Sequence, residues 1–586
     1  MAGLTDILRK VQKPGRYIGE ETNAVRKTAA AGRISVLLAY PDLYEVGMSY
    51  LGLKVLYHLL NDRDDVVCER AFAPWIDMEE ELRKNNIELF SLESKRPVRG
   101  FDIVGFSLSY ELTYTNVLNM LHLAGIPVAA KDRGKDDPFV IAGGACCSNP
   151  EPMSGYIDIF FLGDAEETLP EFIEAFKRLR STKLTRSEKL VKLSGCRGVY
   201  VPALYKPLYE DSRFAGLETA CEKAPLRVDK NVVADLDKAF YPVKQLVPLI
   251  KIVHDRISME IMRGCPNTCR FCQASRVNRP VRIRTPDKLR RLCVDTYRGT
   301  GYSQISLLSL SSVNYPYLNE LVDGINSDFE AKGVSISIPS LRVDEAFYDL
   351  PEIISAVKKA GLTFAPETAG AENQKSIGKL VDYEVLCRSA RLAYTHGWNR
   401  LKLYFMVGFP VKDEEKEVRD IISWAEGLSE LKRGRGSGAA EIRLSVNPFI
   451  PKPHTPFQWM GMRPERSLVR ARDFLVRHSS RKIKVDFHDV NKSCLEGCLS
   501  RGDRRMGDVI LSAWKNGARL DSWIECFDFS IWKDAFAENG MDIFSEASKS
   551  FPMDAALPWA HIGAGPEETY LRSEFIESGF SRDNIP

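Results

Sequence analysis

Cys265, Cys269 and Cys272 fall within eight residues, in the run Arg263-Gly264-Cys265-Pro266-Asn267-Thr268-Cys269-Arg270-Phe271-Cys272. The spacing is CxxxCxxC, directly after an apolar run (257–262, ISMEIM) that reads as a strand. A loop at the carboxyl end of a strand can curl three thiolates around one iron–sulfur cluster. Three thiolates occupy three of four irons, and the fourth stays open for a ligand. With 13 cysteines in 586 residues, roughly 0.6% of random chains of this composition show the pattern, so chance is a weak competitor. Two plainer uses compete. Structural zinc asks for four ligands, usually as two close pairs, and no second pair lies nearby; the other use is as ordinary core cysteines.

A loop of this kind needs strands and helices to hold it. The chain is too long for one core, and two to four domains are expected. Apolar residues make up 44% and charged residues 27%, the balance of a globular protein, and a net charge of +2 predicts neither a nucleic-acid nor an anionic membrane surface. No run approaches 18 apolar residues, so no membrane span is expected. The opening residues lack the apolar core of a secretory signal, which predicts a cytoplasmic protein without a disulfide framework.

Strands are predicted at 34–40, 102–108, 138–143 and 157–162, separated by helices, which implies a doubly wound parallel domain over 34–180 behind an N-terminal extension, 1–33. Residues 181–250 read as a linker with a small β-extension. From 251 to 460 apolar runs recur at 257–262, 304–310, 334–338, 362–365, 401–407 and 441–446, with helical stretches at 286–298, 315–332, 351–360, 382–396 and 413–431. Six βα units make a partial barrel. The Gly-rich run 433–438 reads as a surface loop, and 461–586 as a mainly helical region.

An aromatic before the last cysteine completes CxxxCxφC, and with Phe271 in that place the segment resembles the radical SAM superfamily. The resemblance implies a four-iron–four-sulfur cluster on Cys265, Cys269 and Cys272, S-adenosylmethionine on the open iron, and an electron donor such as flavodoxin or ferredoxin. It also implies reductive cleavage to a 5′-deoxyadenosyl radical. In the family a Gly-Gly-Glu-like turn after the second strand holds the methionine amino group; this chain departs from it with Ser309-Leu310-Ser311-Ser312. The resemblance further places Ser340 and Arg342 after the third strand, Glu367 after the fourth, Met406 and Gly408 at the end of the fifth, and Asn447 and Phe449 at the end of the sixth as ligand contacts. Each has a plainer reading: an ordinary serine turn, a surface ion pair for Arg342, a helix cap for Glu367.

The doubly wound domain, with Gly143-Gly144, Pro150-Glu151-Pro152 and Gly163-Asp164-Ala165-Glu166, resembles the cobalamin-binding subgroup of that superfamily. The subgroup's DxHxxG motif is absent. Only His58 and His122 lie in this domain, both in helical apolar patterns. The expectation therefore leans against bound cobalamin; any that binds must be held by shape.

In the last region Cys494 and Cys498 lie four apart, the spacing of one helical turn as well as of a second cluster. Arg501-Gly502-Asp503-Arg504-Arg505 is basic, which suits either RNA phosphate or internal ion pairs. Trp514, Trp523, Phe527, Phe529 and Trp532 recur at near-helical spacing and read as core. Three functions compete: a radical enzyme modifying an unidentified substrate, with methyl or methylthio transfer to RNA or protein as one form; a cluster-bearing sensor that binds S-adenosylmethionine without turnover; and a zinc-stabilised RNA-binding protein.

Overall fold

A computed structural model describes residues 2–27, 32–211, 213–338, 362–411, 413–433 and 438–580. The run ISVLLAY forms β1 (Ile34–Tyr40), buried along its whole length, as a strand covered on both faces must be. It lies in a sheet with β2 (Val66–Phe72), β3 (Ile103–Ser107), β4 (Phe139–Gly143) and β5 (Ile159–Phe161), in the order β2-β1-β3-β4-β5, all parallel. β6 (Val199–Tyr200) closes the edge antiparallel to β5. This is the doubly wound order whose switch point, between β1 and β3, opens a crevice at the carboxyl ends of the strands.

β2 is a strand that the apolar pattern does not announce. Its sequence, VVCERAF, carries two charged residues in a buried strand. Arg70 is stabilised there by Glu21 at 2.9 Å and Glu93 at 2.6 Å, all three side chains being almost fully enclosed. Residues 181–250 contain an antiparallel hairpin of Tyr205–Glu210 and Arg213–Thr219.

The barrel strands form two parallel sheets. One holds β7 (Ile257–Glu260), β8 (Gln304–Leu308) and β9 (Ser335–Ser337); the other holds β10 (Leu362–Glu367), β11 (Arg400–Val407), β12 (Glu441–Pro448) and β13 (Ile483–Phe487). The first six match the predicted units. β13 adds a seventh, in a stretch expected to be helical. Along β11, Leu401, Leu403, Phe405 and Val407 are buried and alternate with half-buried Lys402, Tyr404 and Met406, so the helices take one face and the other lines the barrel. Helices Tyr383–Thr395 and Glu414–Arg433 supply that apolar cover. The predicted helix 351–360, the contacts at Ser340 and Arg342, and most of the loop 433–438 lie outside the described residues.

The last region is mainly helical and folds back over both earlier parts. Trp514 packs edge-on against His122 at 5.3 Å, Trp523 against Trp75 at 5.8 Å, and Trp532 is buried. These aromatics are core, as their spacing suggests. No described helix is long and apolar enough to cross a membrane.

Candidate functional site

The cysteine loop is closed by a short antiparallel ladder in which Met262 and Arg263 pair with Ile283 and Arg282. Gly264 opens it at φ +87°, and a Cβ there would stand 2.8 Å from the Asn278 carbonyl and 2.9 Å from that of Pro280. Both the left-handed backbone and the close approach therefore require glycine. Cys265 and Cys269 are buried and Cys272 is half-buried. None of the 13 cysteines is in a disulfide. Cys272 precedes the short helix Gln273–Val277, and its Sγ accepts the Ser275 N–H at 3.4 Å. Asn267 Nδ2 donates to Cys265 Sγ at 3.3 Å. Two sulfurs thus already receive N–H bonds, the arrangement that stabilises a ligating thiolate. Among the described residues no three His, Cys, Asp or Glu side chains converge on a single point, as one bound ion would require. A cluster asks only that each thiolate meet its own iron, and this donor set fits one.

The serine turn touches this loop. Asn267 Nδ2 also reaches Ser311 Oγ at 3.4 Å and Asn314 Oδ1 at 3.0 Å, while Ser311 Oγ donates to Asn314 Oδ1 at 2.7 Å. Ser309 and Ser312 share a hydroxyl bond at 2.9 Å. Ser311 and Ser312 are buried and Ser309 half-buried. Asn267 and Asn314 are contact residues that sequence reasoning missed. Asn267 lies inside the motif, which is the only signal available for it.

The other predicted contacts divide. Met406 and Gly408 line a small, mostly apolar recess with Phe409, Glu414 and Leu468. Asn447 stands opposite Met406 in the β11–β12 register. Phe449 stacks on Phe409 at 4.4 Å, and Phe409 meets Phe271 at 6.5 Å, so Phe271 and Phe449 flank one buried aromatic group beside the cysteine loop. Glu367 has φ +70° and its carboxylate is held by Lys379 at 2.8 Å; it caps no helix. The carboxylate that does serve the turn after β10 is the buried Glu417, which accepts bonds from Thr368 Oγ1 and from the Ala369 and Gly370 N–H groups.

The carboxyl edge of the N-terminal sheet faces this assembly. Arg263, immediately before Gly264, pairs with Asp164 at 2.9 Å, Glu166 at 2.7 Å and Glu260 at 2.8 Å. Gln273 Nε2 donates to Ser148 Oγ at 3.0 Å and to the Pro453 carbonyl at 3.1 Å. His454 Nε2 donates to the Ser148 carbonyl at 2.8 Å, and burial pulls its imidazole down to about 4. Lys452 pairs with Glu111 at 2.9 Å and Glu496 at 2.8 Å; burial raises the Glu111 carboxyl. His58 packs on Tyr57 and His122 on Trp514.

The basic run near residue 500 is internal. Arg504 pairs with buried Glu151 at 2.6 Å, Arg505 with Asp503 at 2.7 Å, and Arg501 donates to the Lys549 carbonyl at 2.9 Å. Cys494 and Cys498 sit in the core of helix Val490–Arg501; burial pushes the Cys494 thiol up to about 12, and Cys498 Sγ faces the Ile543 carbonyl at 3.3 Å.

Comparison with known proteins agrees with this geometry. Residues 52–202 match the family described as radical SAM proteins, N-terminal, and residues 259–425 match the radical SAM superfamily. Uncharacterized protein MJ0966 of Methanocaldococcus jannaschii is 25% identical over 515 residues, 85% of this chain and 98% of that protein. Among solved structures, the radical S-adenosylmethionine methyltransferase TsrM from Kitasatospora setae, with cobalamin and a [4Fe-4S] cluster bound, superposes with a TM-score of 0.49 at 14% identity, over 73% of this chain and 77% of that one. The cobalamin-dependent radical enzyme OxsB superposes with a TM-score of 0.46 at 13% identity, over 83% of this chain and 68% of that one. Those two likenesses are too distant to carry function. The two family matches together span more than half of the sequence, and the second contains the cysteine loop just described: the chain belongs to the radical SAM superfamily.

Proposed function

We propose that this protein binds S-adenosylmethionine at the open iron of a four-iron–four-sulfur cluster on Cys265, Cys269 and Cys272 and cleaves it reductively to modify a second substrate. The observation that carries this reading is the bridge from Cys265 Sγ through Asn267 to Ser311 and Asn314, which sets a polar turn against the thiol loop. When bound, such a cluster supplies one electron that breaks a carbon–sulfur bond of S-adenosylmethionine and yields a 5′-deoxyadenosyl radical. The chain's own residues do the rest. Ser309, Ser311 and Ser312 offer hydroxyls to the methionine end. Met406 and Gly408 offer an apolar cavity for the adenine, and Phe271, Phe409 and Phe449 exclude water from the loop.

Flavodoxin or ferredoxin is the class of electron donor that fits. Methyl or methylthio transfer is the reaction class proposed. Protein rather than RNA is the substrate class proposed, because the basic run 501–505 is spent on internal pairs. Cobalamin, where it binds, binds without His58 or His122. The test is chromatography of an anaerobic, dithionite-reduced reaction. 5′-Deoxyadenosine should form slowly alone and faster with the substrate fraction of the cell, accompanied by S-adenosylhomocysteine if methyl transfer is the outcome. A fully loaded protein that binds S-adenosylmethionine yet yields no 5′-deoxyadenosine is a sensor instead.

A further inference from the structure

Two guanidinium groups hold the backbone of the cysteine loop. Arg276 is wholly buried; its Nη2 donates to the Thr268 carbonyl at 2.7 Å and its Nη1 to Tyr570 Oη at 2.9 Å. Arg279 Nη2 donates to the carbonyls of Pro266 at 3.4 Å and Asn267 at 3.3 Å. Those three carbonyls are the whole stretch between Cys265 and Cys269. On both groups the Nε–H is buried and has no acceptor. A buried donor left unpaired carries a desolvation cost, so each asks for an explanation. Arg186, Arg284 and Arg501 also carry an unpartnered Nε. Arg276 and Arg279 differ in position: both grip the backbone of the loop that carries the three thiols.

Among the described residues neither charge is neutralised closely. The carboxylate nearest Arg276 is Glu574 at 3.9 Å, and Glu574 is engaged more tightly by Arg270 at 3.1 Å. Glu574 and Tyr570 both come from helix Glu568–Glu577, about 300 residues along the chain. The Tyr570 ring lies 5.4 Å from the Arg276 guanidinium. The last described helix thus fixes the side chain of Arg276 where the loop needs it.

We propose that Arg276 and Arg279 donate their Nε–H groups to sulfur atoms of the bound cluster and hold its reduction potential up, with Tyr570 and Glu574 as positioning residues for Arg276. The assignment rests on the cluster reading above. N–H bonds to sulfur and nearby positive charge both favour the more negative, reduced state. Removing either should therefore make the cluster harder to reduce.

The test is a redox titration, followed by electron paramagnetic resonance, of the full chain reconstituted anaerobically without S-adenosylmethionine. Arg279→Gln and Arg276→Lys are compared with the unaltered protein at equal iron content. Arg279→Gln removes a charge from a partly exposed side chain, so folding is little disturbed. Arg276→Lys keeps the charge and loses the planar Nε–H. Each should lower the reduced-to-oxidised ratio about tenfold at a fixed poise, ~59 mV for a one-electron couple. Unchanged potentials in both variants at full iron content overturn the assignment while leaving the cluster reading intact. Loss of the cluster from Arg279→Gln also overturns it, because the arginine then only holds the loop. An unaltered protein that takes up no cluster overturns both readings.

Discussion

Asn267 serves two partners at once, a thiol and a serine turn, and that double duty predicts how substitutions divide. Cys265→Ala, Cys269→Ala and Cys272→Ala should each lose most of the iron that the reconstituted protein carries, read by iron and sulfide analysis, because each removes the only protein ligand of one iron. Ser311→Ala should instead keep the iron and weaken S-adenosylmethionine binding by roughly tenfold, about the worth of one hydrogen bond to a charged group. Equilibrium dialysis against the ligand separates the two classes. The cysteines were legible because their chemistry is local: three sulfurs in eight residues need no partner to be recognised. Asn314 was not legible. Its role depends on meeting Asn267 across 47 residues of chain, and a single asparagine in a polar turn looks like any other. Glu367 shows the opposite failure. Its place after β10 invited a ligand or capping role, and only the folded chain shows Lys379 beside it.

The elements position the loop through two tight points. Gly264 and Gly408 both have positive φ, and a Cβ on Gly408 would stand 2.7 Å from Leu468 Cδ2. Gly264→Ala should cost about 1–3 kcal/mol in strain and lower cluster occupancy, since the clash falls on backbone carbonyls that cannot move aside. Gly408→Ala should leave iron content alone and reduce affinity for S-adenosylmethionine, because it narrows the cavity beside Met406. Spectra of the loaded protein and ligand titration read the two effects independently. The three main sheets were largely predictable from alternating apolar runs and helices. β2 escaped because a buried ion-paired Arg70 breaks the apolar pattern, so a tertiary contact makes that strand. β13 does alternate, as IKVDF, but over only five residues between two helices.

The whole molecule is held together where its two carboxyl edges meet. Arg263 binds three carboxylates from both domains, so Arg263→Ala leaves Asp164, Glu166 and Glu260 without their common cation and should cost about 3 kcal/mol, seen as a lower thermal midpoint. Acid should loosen the same junction. His454 titrates at about 4 in the folded chain against 6.5 for the free side chain, and burial brings His58 to about 4 as well. Between those values the unfolded chain binds more protons, so stability is greatest above pH 6.5 and falls as pH drops toward 4, by about 3 kcal/mol for each histidine at most. Midpoints measured across that window should slope downward toward acid, and His454→Gln should flatten part of the slope; a flat profile in the unaltered protein contradicts this. The placement of the tail over the loop was not legible from sequence, since Tyr570 and Glu574 meet Arg276 only in the folded chain. The account as a whole turns on an open iron beside the serine turn. The measurement that reaches it most directly is the electron paramagnetic resonance spectrum of the dithionite-reduced, reconstituted protein with and without S-adenosylmethionine. A four-iron signal whose line shape changes when S-adenosylmethionine is added is the predicted result; a fully loaded cluster whose spectrum S-adenosylmethionine leaves unchanged would contradict it.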